Sequence, residues 1–134
     1  MKSIFKAALV VAAGLFAAGT APAHAQIGVY TITDLNIRSG PGVDYTRIAV
    51  IPEGGEVTVF GCTPSRIWCD IAWAGWRGWV AADYLHHAGY RRPLYEPGPG
   101  FVRPPVVRYN YRRYHDRYYR GRPFYRRPYY RSRY

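Results

Sequence analysis

Six tyrosines and tryptophans lie between positions 45 and 84: Tyr45, Trp68, Trp73, Trp76, Trp79 and Tyr84, too many for the core of one small unit. An indole or phenol left at a surface stacks on a sugar or holds a peptide, while its N–H or O–H makes one directed hydrogen bond. Tyr45, Trp73, Trp76 and Tyr84 are therefore the candidate ligand-binding residues. Trp73 and Trp76 flank an Ala-Gly turn, where a ligand platform and simple packing or tail docking both remain open, whereas Trp79 reads as core. A second chemistry is carried by arginines near the end of the chain, Arg108, Arg112, Arg113, Arg117, Arg120, Arg122, Arg126, Arg127, Arg131 and Arg133, interleaved with tyrosine. Guanidinium groups fork onto phosphate or carboxylate, and tyrosine adds stacking, a hydroxyl and cation-π contact. These arginines are the candidates for holding an anionic surface.

Catalysis needs a nucleophile beside a base, a paired acid system or a set of metal ligands. From Ile27 to Leu85 there is no histidine, and Asp44, Glu53, Glu56, Asp70 and Asp83 are expected in turns or on outward strand positions. His86 and His87 read as solvated imidazoles at a boundary. No catalytic residue, metal or cofactor is expected, and the chain reads as no enzyme.

The elements that must position these residues are short strands. "VYTI", "RIAVI", "EVTVFGC", "WCDIAW" and "GWV" are separated by "SGPG", "PEGG", "TPSR" and "AGWRG", the punctuation of a small all-β unit. In "EVTVFG", Val57, Val59 and Gly61 share one face while Glu56, Thr58 and Phe60 share the other. Cys62 and Cys69 would face each other across a hairpin, which predicts a structural disulfide, with free or intermolecular thiols as the alternative. A bridge helps a unit this small, which buries only about 60% of its extended surface.

Charge divides the chain. Ile27 to Leu85 holds four arginines against six acids, whereas His86 to Tyr134 holds thirteen arginines against two acids, so the overall +11 belongs to the second half. Residues 86–107 read as a Pro/Gly-rich linker, and 108–134 as an Arg/Tyr-rich tail, mostly disordered and separable from the barrel. At the other end, a basic start, an apolar run and an A-x-A pattern ending at Ala25 read as a signal peptide over residues 1–25, removed on export to the periplasm or outside. Such compartments favour disulfides.

The stretch "LNIRSGPG", the hairpin "VIPEGGEVTVFG" and the ending "GWRGWVAADYL" together resemble the bacterial SH3 (SH3b) family over about Tyr30 to Leu85. The resemblance implies a small, partly open SH3-like barrel of five to seven strands over residues 27–85. It also implies a binding or targeting role in the cell envelope, since family members recognise peptidoglycan peptides or help envelope hydrolases find substrate. In the family pattern Asn36, Arg38, Gly40, Pro41 and Gly42 shape the fold. The expected partners are peptidoglycan or an envelope protein for the barrel, and anionic lipid, lipopolysaccharide or a wall polymer for the tail. The competing readings are a structural or accessory envelope protein with no polymer ligand, and a nucleic-acid binder through the tail. Nucleic acid would bind such a tail in vitro.

Overall fold

The computed structural model describes residues 27–122 and the isolated Gly14. The signal-peptide reading of residues 1–25 and the arginines Arg126, Arg127, Arg131 and Arg133 thus lie outside the described residues. The strands are β1 (Ile27–Thr31), β2 (Leu35–Arg38), β3 (Arg47–Ile51), β4 (Glu56–Cys62), β5 (Trp68–Trp73), β6 (Trp76–Ala81) and β7 (Leu85–His87). A 3-10 turn spans Ala82–Tyr84, and α1 covers Tyr111–Tyr118.

All strands join one sheet in the order β3-β2-β6-β5-β4-β1-β7. Its ends, β3 and β7, do not pair with each other, so the expected partly open barrel is what forms. The concave side gathers Val29, Leu35, Ile37, Ile51, Val57, Val59, Ile71, Val80 and Leu85 into one buried cluster. Val57 and Val59 are buried and Glu56 exposed, as strand alternation requires. The β5–β6 hairpin turns on Ala74 (φ 45°) and Gly75 (φ 80°), and Trp73 pairs with Trp76 across it. Two successive positive φ values give the turn whose twist suits the flanking strands.

Cys62 and Cys69 are register partners on β4 and β5 and form the expected disulfide, with an S–S distance of 2.03 Å. Closing so short a loop stabilises by about 2–3 kcal/mol on the chain-entropy estimate.

Beyond β7 the chain runs as a strap along the sheet. Leu94 is buried in the barrel cluster, and its N–H donates to the Leu85 carbonyl at 2.9 Å. Among the described residues β1 pairs with β4 as far as Val59, and the strap takes the same edge at Cys62. Cys62 N–H donates to Pro105 O at 2.8 Å, and Val107 N–H donates to Cys62 O at 2.9 Å. Gly61 permits this approach, because a methyl there would run into the Val107 side chain and the Pro105 carbonyl.

Three expectations need correction. Asp70 is not an outward, solvated acid: it is only 6% exposed. Cys69, Asp70 and Ile71 are buried in succession because β5 has the barrel core on one face and the tail on the other. His87 is buried rather than solvated, stacked on Tyr90 at 4.6 Å, with Nε2 2.7 Å from the Leu94 carbonyl oxygen. The start of the tail is not free, since α1 lies on the barrel with Tyr114 and Tyr119 buried. Apolar ring area, which arginine count obscured, supplies the driving force.

Candidate binding groove and the docked tail

Strands β2 and β6 share the register pair Arg38 with Trp79 at the end of β2. The seam opens into a groove of about 360 Å³, lined by Asp34, Asn36, Arg38, Trp68 and Tyr84 among others. Tyr84, in the turn after β6, is 45% exposed there and contributes a phenol face. Arg38 holds the neighbouring "SGPG" turn, its Nη1 donating to the carbonyls of Val43 and Tyr45, each at 3.1 Å. Asp34 Oδ1 accepts from the Glu53 N–H at 2.9 Å. Each charged group is thus anchored through one atom. The other guanidinium nitrogens of Arg38 and Oδ2 of Asp34 make no hydrogen bond among the described residues. Aromatic faces beside one cationic and one anionic group suit a short peptide with charged groups at both ends.

Of the four sequence candidates, only Tyr84 lies in this groove. Tyr45 meets the tail, its ring 5.4 Å from that of Tyr109 in an edge-on arrangement. Trp73 packs against the barrel cluster, and Trp76 carries the Arg122 guanidinium 5.3 Å above its ring. The two tryptophans share a hairpin end, but neither lines the groove. Sequence reasoning passed over Asp34 and Trp68, and kept Asn36 and Arg38 chiefly as shapers of the fold. The signal that was there is the turn motif itself, whose arginine and asparagine flank the seam.

On the same outward face of β5 that Trp68 shares, Asp70 and Arg77 make a bidentate pair, with both N···O distances 2.8 Å. The Tyr114 hydroxyl donates to Asp70 Oδ1 at 2.6 Å, the Tyr119 hydroxyl to Arg77 O at 2.7 Å and the Tyr109 hydroxyl to Ser39 O at 3.1 Å. Trp79, 1% exposed, has Tyr109 and Tyr114 against it at 5.5 and 5.6 Å, so its cover comes from the tail as much as from the sheet. The Arg77 guanidinium lies 3.5 Å over Phe60 and 4.5 Å from the Tyr118 ring centre. Burial alone would lower the Arg77 pKa, but the hydrogen bonds and charge of Asp70 outweigh it, and the pKa rises. Burial pushes the phenols of Tyr109, Tyr114 and Tyr119 well above their ordinary range. These hydroxyls therefore stay protonated and able to donate.

Of the tail arginines, Arg108, Arg112, Arg113, Arg117, Arg120 and Arg122 are all exposed. Arg120 pairs with Asp116 at 3.8 Å. Asn110 caps α1 by accepting the Arg113 N–H at 2.9 Å.

Residues 33–86 match the bacterial SH3 domain family model. That range contains the whole groove lining and ends where the strap begins. A stretch of 59 residues is 34% identical to a protein of Bacillus subtilis strain 168 assigned as an N-acetylmuramoyl-L-alanine amidase, YrvJ. The match takes in 44% of this chain but only 11% of that relative's length. Among solved structures, NlpC2 from Trichomonas vaginalis superposes with a TM-score of 0.45 at 23% identity, over 55% of this chain and 26% of that one. The expectation of no enzyme is corrected here. It rested on the lack of a nucleophile–base pair between Ile27 and Leu85, whereas 59 residues of the chain are similar to part of a protein assigned as an amidase.

Proposed function

We propose that the chain is an exported cell-envelope protein whose SH3-like part recognises peptidoglycan at the β2–β6 seam, in the service of amide-bond hydrolysis in the wall. The observation that carries this reading is the coincidence of the family match over residues 33–86 with the groove that Asp34, Asn36, Arg38, Trp68 and Tyr84 line. The likeness to an amidase-assigned protein supports the link to hydrolysis. The arginines of the tail hold the protein on anionic envelope material, where each cation near such a surface contributes up to about 1 kcal/mol before screening.

Retention of the mature protein on purified peptidoglycan tests the first part. Tyr84→Ala and Asn36→Ala are each expected to weaken retention, Tyr84→Ala by roughly tenfold as a central aromatic contact. Trp73→Ala is expected to leave it unchanged because that ring lies away from the groove. Retention that survives Tyr84→Ala and falls with Trp73→Ala would move the site to the hairpin end. Release of amino groups from peptidoglycan by the full chain, compared with buffer, checks the hydrolytic link.

A further inference from the structure

The tail chemistry is more localised than an adhesive strip of arginines. Arg113 and Arg117, four residues apart on α1, and Arg108 from the preceding segment line one pocket of about 130 Å³, with Asn110 at its edge and Asp70 and Tyr114 in its wall. The one carboxylate in that wall is already satisfied. Asp70 Oδ1 accepts from Arg77 Nε and the Tyr114 hydroxyl, and Oδ2 accepts from Arg77 Nη2. Asp70 and Arg77 offset one another, so the three arginines set the local field. Neither Arg108, Arg113 nor Arg117 makes an ion pair among the described residues. Asn110 spends its oxygen on the helix cap, leaving its amide hydrogens as further donors.

Like charges at i and i+4 repel, and gathering three guanidiniums against a docked helix costs stability unless an anion sits among them. Three forks offer more donors than one carboxylate can accept, whereas a phosphomonoester presents three terminal oxygens and close to two negative charges. We propose that Arg108, Arg113 and Arg117, held in place by the docked helix, form a discrete receptor for a phosphomonoester group. This deepens the proposed adhesion to anionic material and rests on it for the biological source of the phosphate. The pocket is composite, with its arginines from the tail and its wall from the barrel, so it exists only while Tyr114 holds α1 down.

The test uses the full mature chain. Inorganic phosphate titrated at fixed ionic strength should bind saturably with one site and raise the thermal midpoint, because a ligand of the folded state stabilises it. R113Q/R117Q should weaken phosphate binding by roughly tenfold or more, the scale of lost charge-assisted hydrogen bonds. R47Q/R103Q removes the same charge outside the pocket lining and should stay within about twofold. Tyr114→Phe, which leaves every arginine in place, should also weaken binding. Phosphate that acts no differently from chloride, or equal losses in the two double variants, overturns the proposal.

Phosphatidylcholine vesicles carrying phosphatidic acid, set against phosphatidylglycerol at equal charge density, separate the sources. Preference for the phosphatidic acid vesicles marks a surface-borne monoester. Saturable inorganic phosphate binding without that preference marks a soluble one. The receptor and the adhesion fail differently. If R113Q/R117Q binds phosphate like the parent while R120Q/R122Q/R126Q/R127Q/R131Q/R133Q loses envelope retention, the receptor fails and adhesion stands. The reverse pattern keeps the receptor and removes the adhesion.

Discussion

The Tyr114 hydroxyl donates to a carboxylate that already accepts both forks of Arg77, so its loss removes a charge-assisted bond without disturbing the ion pair. Tyr114→Phe is expected to weaken tail docking by about 1.5–3 kcal/mol, because one partner is charged and the site is largely buried. Faster hydrogen exchange of the α1 amides, with the strand amides unchanged, is the measurement that checks it. Asp70→Ala should cost more, since it strands both the Arg77 guanidinium and the Tyr114 hydroxyl. At this scale the sequence was legible for Cys62, Cys69 and Trp79 but misleading for Asp70. Period two assigns a residue to a face, and only a second layer decides whether that face meets water.

At the scale of elements, α1 is held by buried phenols and a buried imidazole, and this sets a pH window. Burial is the main influence lowering the His115 pKa below its ordinary 6.5, against smaller upward pulls from the Ser39 backbone and the Asp116 carboxylate. With a depressed folded pKa, the undocked helix binds the extra proton more readily, so docking weakens as pH falls through 6.5 toward the folded value. Tyr109, Tyr114 and Tyr119 have folded pKa values raised above 10.0, so docking is intact below that pH and is lost as pH rises past it. Tail docking is therefore expected to be strongest between about 6.5 and 10, and helical circular dichroism followed across pH checks this. Stability that peaked outside that window would contradict the assignment of these groups to the docked face. The strap supplies a second test. Gly61→Ala should cost about 1–3 kcal/mol, because Val107 and the Pro105 carbonyl must retreat.

For the whole molecule, the tail completes the fold. Ending the chain before Val107 removes Tyr109, Tyr114 and Tyr119 and uncovers Trp79, now 1% exposed. All seven strands and both cysteines precede the cut, so an oxidised sheet is expected to persist with a lower thermal midpoint and a red-shifted tryptophan emission. Unchanged emission would place the cover of Trp79 within the barrel. Reducing the disulfide should cost a further 2–3 kcal/mol or about that, checked by the midpoint with and without reductant.

What the sequence determined by itself was local and periodic. Short alternating strands between turn residues, a cysteine on each side of a hairpin, and the motifs at "LNIRSGPG" and "GWRGWVAADYL" were enough for the all-β class, the disulfide and the bacterial SH3 resemblance. The physical reason is that strand alternation, turn geometry and loop closure act over a few residues. Contacts between distant segments were decided only by the tertiary structure: Tyr109 onto Ser39, Tyr114 onto Asp70 and Tyr119 onto Arg77. A tail rich in arginine reads as solvated because charge is visible in composition. Its ring surface gains stability only against a matching face, and that face, made by Trp79, Asp70 and Arg77, exists only once β5 and β6 have paired. The seam groove is likewise a product of tertiary structure, since its lining is gathered from Asp34, Asn36 and Arg38 at β2, Trp68 on β5 and Tyr84 in the turn after β6.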